Sequence, residues 1–192
     1  LEGLIDKALE LDRAYREIDT LRGALDGREG RQRLIGRSPA MERLLGQVAQ
    51  IAKLDTTVLL EGETGTGKEL VAQMIHARSA RSPGPFFDVN CGALSESLLE
   101  STLFGYEKGA FTGAVRGAPG YLEQANGGSL LLDEVVDMSP KLQSSLLRVL
   151  QDRAFRRLGG TSVRHTDFRL ICACNRPLGE EAGGPGSGGG PA

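Results

Sequence analysis

The sequence predicts an α/β chain, a parallel sheet packed between two layers of helices. Three observations carry that prediction. Short apolar runs of strand length, Val58-Leu59-Leu60 and Leu130-Leu131-Leu132, alternate with stretches of helical spacing such as Leu70-Val71 with Met74-Ile75. The first run leads into Gly62-Glu63-Thr64-Gly65-Thr66-Gly67-Lys68, and the second into Asp133-Glu134. Both place polar chemistry where a buried strand ends, at the carboxyl edge where parallel sheets bind their ligands.

The 62–68 stretch satisfies the spacing G-x-x-x-x-G-K in full. Glycines at 62, 65 and 67 let backbone N–H groups face one concavity, the following helix adds its dipole, and Lys68 supplies a point charge for β- and γ-phosphates. A Gly-rich turn without function is the bland alternative, and an apolar strand ending in Asp133-Glu134 argues against it. One carboxylate can hold Mg²⁺ and its neighbour can orient an attacking water. Without the phosphate loop, two acids after a strand read better as a solvated turn. Together the two stretches read as the core of a nucleoside triphosphatase. One position departs from the general motif: Glu69 follows Lys68, where a Ser or Thr hydroxyl would reach Mg²⁺. More of the coordination then falls to Asp133, phosphate and water.

At 192 residues the chain has room for one sizeable core plus appendages. A net charge of -2 gives no broad basic field for nucleic acid. No stretch has the length of a membrane span, and Glu2 and Asp6 stand where a secretory signal is basic, so a cytoplasmic protein is expected. Cys91, Cys172 and Cys174 are too few and too apolar in context for a disulfide scaffold, and read as small core residues.

From the start, Leu4, Leu11, Ile18 and Leu25 repeat every seven residues, which suits a dimeric coiled coil or an amphipathic helix lying on its own domain. Residues 28–33 read as a linker. Ser38-Pro39 with Glu42 opens a helix expected over 41–54, with Met41, Leu44, Leu45, Val48 and Ile51 facing the core. Strands are expected near 57–61, 86–89, 129–132 and 168–173, and helices from the phosphate loop to about 77, over 95–104, 121–125 and 140–150. On the last, Leu142, Leu146, Leu147 and Leu150 form the apolar face. Asn90 closes the second strand, as a cap or as a site amide. Asn175 follows the fourth, on the same edge as Lys68 and Asp133, able to hold a water or sense a γ-phosphate. The segment 105–114 has no strand or helix period and carries Phe111 beside Thr112, either a loop pinned by one aromatic or a partner-contacting tip. Arg153, Arg156 and Arg157 read as a solvated face or a charge clamp. Beyond Leu178 the Gly- and Pro-rich tail has nothing with which to build a core.

Taken together, 62–69, Asn90-Cys91, Leu103-Phe104-Gly105, Gly109-Ala110-Phe111-Thr112-Gly113-Ala114, Gly127-Gly128, Asp133-Glu134, 147–151, Gly159-Gly160 and Asn175-Arg176 resemble the AAA+ ATPase domain of sigma-54-dependent transcription activators, the NtrC-like enhancer-binding proteins. The resemblance covers about 34–178. It implies a three-layer P-loop fold with sheet order 5-1-4-3-2, and ATP held by Gly62, Glu63, Thr64, Gly65, Thr66, Gly67, Lys68, Glu69 and Asp133. It further implies Mg²⁺ at Asp133, Glu134 as base, Asn90 as the amide restraining it, Asn175 as first sensor, and Phe111, Thr112 and Gly113 as the contact with sigma-54 RNA polymerase holoenzyme. Partners by resemblance are further copies of the chain, from dimer to hexameric ring, and DNA through a helix-turn-helix outside this sequence. Residues 1–27 resemble the helix leaving a response-regulator receiver, as in a two-component system.

Several departures accompany the resemblance. Cys174 stands where the family has Thr, and Val135-Val136 where Ile-Gly is common. After Asn175-Arg176 the family continues to arginine fingers, a fifth strand and a helical lid, in place of which this sequence has the tail 179–192. The expectation from these residues is a truncated domain with an uncovered edge at Val58-Leu59-Leu60 and impaired hydrolysis, so whether this chain is an enzyme stays open. The alternatives are a non-catalytic P-loop interaction fragment and a different AAA+ remodelling ATPase, which would not need the Phe111-Thr112 hexapeptide.

Overall fold

The computed structural model describes residues 38–175. The heptad stretch 1–25, the linker 28–33, Arg176, Leu178 and the tail 179–192 lie outside the described residues.

Ser38 opens the first helix, α1 (Pro39–Ile51): its Oγ accepts from Met41 N at 3.2 Å, and Pro at the first helical position needs no N–H partner. The helix stops at Ile51 rather than the expected 54. The reason is distant in sequence, because the buried Arg169 guanidinium donates to the carbonyls of Ile51 and Ala52 at 2.8 and 3.3 Å and satisfies the helix end there. Only Val48 of the expected apolar face is buried; Met41, Leu44, Leu45 and Ile51 are half-buried.

β1 (Val58–Glu61) leads through the phosphate loop to α2 (Lys68–Ala77), and β2 (Phe86–Asn90) follows. α3 (Glu96–Phe104) runs directly into β3 (Gly105–Tyr106), which pairs antiparallel with β4 (Ala118–Pro119). The short α4 (Tyr121–Gln124) precedes β5 (Ser129–Asp133), then come a 3-10 turn (Val135–Asp137) and α5 (Pro140–Asp152). β6 (Ala154–Phe155) and β7 (Arg164–His165) form a hairpin before β8 (Arg169–Cys174). Two features of this order correct the sequence expectation. Residues 105–114 do carry a two-residue ladder at their start, and the arginine-rich stretch after α5 is a hairpin.

The main sheet is parallel throughout, in the order β1-β8-β5-β2, so the four expected strands take the order the resemblance implies. Among the described residues β1 has no strand on its other side, and Leu59 there is 40% exposed. β5 is central and reads as an unbroken apolar run because both faces are covered. Leu130 and Leu132 join Leu99, Leu103, Leu142, Leu146 and Val149 in one layer, while α2 packs Val71, Ala72 and Ile75 on the opposite face. Each fully buried leucine contributes about 1.5–3 kcal/mol. Leu147, expected on the core face of α5, is 54% exposed; Val149 is buried instead. The cysteines are free, and burial pushes the Cys91 thiol up to about 12 and Cys172 to about 11, which leaves both as unreactive core groups.

Candidate nucleotide site and partner loop

The register of the sheet fixes what stands along its carboxyl edge. Glu61 pairs with Cys174, and Gly62 N donates to Cys174 O at 3.2 Å, so the phosphate loop begins beside Asn175. Asn90 pairs with Asp133, and Cys91 N donates to Asp133 O at 2.9 Å. Across the edge the order is therefore Lys68, Asn175, Asp133 with Glu134, and Asn90. Four strands bring together residues that the sequence keeps far apart.

The phosphate loop is held by its own groups. Gly65 and Gly67 take φ of 81° and 84°, a region that favours glycine, and this swings successive N–H groups to one side. Gly67 caps α2, whose N-terminus faces the same space. Thr66 Oγ1 donates to Glu63 O at 2.7 Å, and Lys68 Nζ donates to Gly62 O and Glu63 O at 2.7 and 2.9 Å. The loop opens onto a groove of about 450 Å³ whose far walls are apolar: Leu44, Val48 and Ile51 from α1 with Val71 and Ile75 from α2. Charge at one end and apolar walls at the other suit a nucleoside triphosphate.

At the acidic end, Asp133 Oδ1 accepts from Glu134 N at 2.9 Å, and Glu134 sits in the left-handed region at φ 53° and ψ 44°. A non-glycine residue there carries about 1 kcal/mol of strain, which the 3-10 turn behind it maintains. Glu134 Oε2 lies over Gly92, 2.7 Å from where a Cβ on that glycine would stand. Asn90 Oδ1 accepts from Gly92 N and Ala93 N, each at 2.9 Å, so this amide binds the very loop on which the Glu134 carboxylate rests. Among the described residues Asn175 Oδ1 is buried without a hydrogen-bond partner, an acceptor in want of a donor. Burial, then Asp88 and Asp133, holds the Glu69 carboxyl above its ordinary range.

ATP fits this donor set. Among the described residues no three of His, Cys, Asp and Glu converge to hold a metal unaided. Mg²⁺ at Asp133 would therefore need phosphate oxygens as well, which is how this small cation is usually bound.

Phe111, Thr112 and Gly113 form an exposed tip, closed below by Gly109 N donating to Ala114 O and Ala114 N to Phe111 O. Phe111 is 48% exposed, its ring 4.9 Å from that of Tyr106. The β6–β7 hairpin lies against the base of this loop: Glu107 N donates to Leu158 O and Leu158 N to Gly105 O, both at 3.0 Å. Sequence reasoning missed what fastens the two. Arg157 takes both oxygens of Glu123 at 2.8–3.1 Å and reaches Glu107 at 3.5 Å, while Arg164 reaches Glu123 at 3.0 Å and Glu107 at 3.4 Å. Arg157 thus forms a clamp inside the chain, and its side chain is only 13% exposed. No local pattern announces four charges drawn from three segments.

Residues 34–183 match the family model described as the sigma-54 interaction domain. The chain belongs to that family. It is 49% identical over 166 residues to the Nif-specific regulatory protein of Azotobacter vinelandii, covering 86% of this chain and 32% of that protein. Against the transcriptional regulatory protein ZraR of Salmonella typhimurium the identity is 53% over 148 residues, covering 77% and 34%. The crystal structure of NtrX from Brucella abortus in complex with ATP superposes with a TM-score of 0.72 at 36% identity, covering 93% of this chain and 36% of that one. The sigma-54 domain here spans about a third of the length of these relatives. Among the described residues no helix is long and apolar enough to cross a membrane.

Proposed function

We propose that this chain carries the ATP-hydrolysing module of a sigma-54-dependent transcription activator, and that hydrolysis remodels sigma-54 RNA polymerase holoenzyme toward the open complex. The observation that carries this reading is the single sheet edge on which Lys68, Asn175, Asp133-Glu134 and Asn90 stand together, beside an apolar groove and within a chain of this family. The ATP complex of the similar NtrX structure supports it.

In this reading residues 34–178 are the ATPase module, 1–27 a coiled-coil linker helix of response-regulator type, 28–33 a connection and 179–192 a tail. The backbone of 62–67 and Lys68 bind the phosphates, and Glu63, Thr64, Thr66 and Glu69 complete the loop's shape and charge. Asp133 holds Mg²⁺, which supplies charge neutralisation at the phosphates when bound. Glu134 takes the proton of the attacking water, Asn90 governs where that carboxylate rests, and Asn175 offers its amide to the water or the terminal phosphate. Phe111, Thr112 and Gly113 meet the sigma factor. The whole protein works in the cytoplasm as a homo-oligomer, from dimer to hexameric ring, and reaches DNA through a separate helix-turn-helix.

The test is calorimetric titration and steady-state turnover of the full-length protein. Lys68→Ala lowers ATP affinity about tenfold or more, through loss of charge-assisted bonds. Glu134→Gln binds ATP like the parent but turns it over about 100- to 10,000-fold more slowly, the usual range for a lost general base. Equal ATP affinities for Lys68→Ala and parent, or parental turnover in Glu134→Gln, would refute the assignment.

A further inference from the structure

One buried cation has no part in the chemistry described so far. Arg169 opens β8 and is 2% exposed, yet among the described residues its guanidinium bonds to carbonyl oxygens rather than to a carboxylate. Nη2 donates to Ile51 O at 2.8 Å, Nη1 to Ala52 O at 3.3 Å and Nε to Thr56 O at 3.2 Å. Ile51 is the last residue of α1 and Ala52 its cap, so the charge faces the negative end of that helix. The same fork reaches the chain just before β1. A buried cation is costly unless its donors are satisfied, and here that satisfaction depends on where α1 ends.

Little else fixes α1. Val48 is its one buried residue, while Leu44 and Ile51 are half-buried and line the groove beside the phosphate loop. That groove takes Leu44, Val48 and Ile51 from α1 and Val71 and Ile75 from α2, so one of its two helical walls stands where Arg169 holds it. The connection from α1 to β1 has a second anchor further on. Arg81 takes both oxygens of Asp55 at 2.7 Å and reaches Asp167 at 3.0 Å, bonds that stop short of α1. Arg169 lies at the amino end of β8, whereas Cys174, next to Asn175 and the phosphate loop, is at the carboxyl end. Its guanidinium therefore touches none of the groups assigned to phosphate or water.

We propose that Arg169 is a positioning residue for the nucleoside half of the nucleotide: by holding the end of α1 it sets the apolar wall against which base and ribose lie. This rests on the function proposed above. The phosphates are gripped separately, by the backbone of 62–67 and by Lys68. Loss of the fork therefore weakens nucleotide binding without slowing hydrolysis of the nucleotide that is bound.

The experiment uses the full-length protein, titrated with ATP and assayed for turnover across a range of ATP concentrations. Arg169→Lys keeps a charge facing α1 but gives up the fork on three carbonyls. Lys53→Pro attacks the same contact from an exposed position, and serves where the buried substitution fails to fold. Proline there drives Ala52 out of the helical region, drawing its carbonyl away from Arg169. Each variant is expected to raise the Kd and KM for ATP about tenfold, with kcat within about twofold of parent. Leu44→Ala trims the same wall, so its loss does not add to theirs: either double variant binds ATP within about twofold of its weaker single. Parental ATP affinity in folded Arg169→Lys or Lys53→Pro, a fall in kcat as large as the rise in Kd, or additive losses with Leu44→Ala would each overturn the proposal. A parent that does not bind ATP would instead overturn the underlying function, before any variant is compared.

Discussion

The phosphate-loop edge and the paired hairpins that present Phe111 are held by different physics. Along the edge, side chains hang from long parallel strands whose central member is buried on both faces, and the loop's own backbone and Lys68 fix its shape. The hairpins have strands of two residues each and share a base fastened by two backbone bonds and a four-charge cluster. The proposed chemistry thus stands on the doubly covered sheet, and the proposed partner contact on short strands whose base combines these polar links with Phe155 in the core and Leu158 packed against it. Such a division would let the loop move without disturbing the proposed hydrolytic site.

Arg157 carries the largest expected effect on stability. Arg157→Ala leaves Glu123 and Glu107 facing one another with only Arg164 between them, and a partly buried carboxylate left short of its partner costs about 2 kcal/mol. Chemical denaturation of the full-length protein should show that loss. Arg157→Lys should restore only part of it, since an ammonium cannot take both oxygens of Glu123 in a fork. Unchanged stability in Arg157→Ala would mean that the cluster does not fasten the hairpins.

A smaller effect sharpens the other side. His76, at the end of α2 away from the phosphate loop, is buried against the amino ends of β5 and β2, its Nδ1 2.9 Å from Ser129 Oγ and its ring 5.3 Å from Phe86. Burial pushes its pKa below the ordinary 6.5, partly offset by a hydrogen bond with Gly84, while Arg169 lowers it further. As pH falls through 6.5 the unfolded chain takes up a proton that the folded imidazole refuses, so stability declines toward acid, by at most about 1.4 kcal/mol per pH unit. His76→Gln should flatten the stability profile between about pH 7 and pH 5 relative to parent. Parallel profiles for the two proteins would exclude His76 as the source of that slope.

What the sequence made legible follows from the range of the interactions involved. The phosphate loop, the acidic strand end and all four main strands were readable because each is signalled within a few adjacent residues. The end of α1 was not, since Arg169 terminates it from the far end of the chain. The two hairpins escaped because two residues are too short to show an alternating period, and Arg157, readable as a solvated face or a charge clamp, gave no sign that its partners are Glu107 and Glu123 of the same chain. Leu147 was misplaced because helical spacing allowed either it or Val149 to face the core, and the packing of α5 chose Val149.

The most direct test of the division between the two regions is Thr112→Ala in the full-length protein, with ATP turnover and sigma-54-dependent open complexes measured on one preparation. Thr112 stands at the exposed tip of the loop, and every group assigned to the nucleotide lies on the sheet edge. ATP turnover within about twofold of parent is expected, because no transition-state contact is removed, with open complexes reduced to background. Parental promoter opening, or a collapse of turnover to the level of Glu134→Gln, would contradict it.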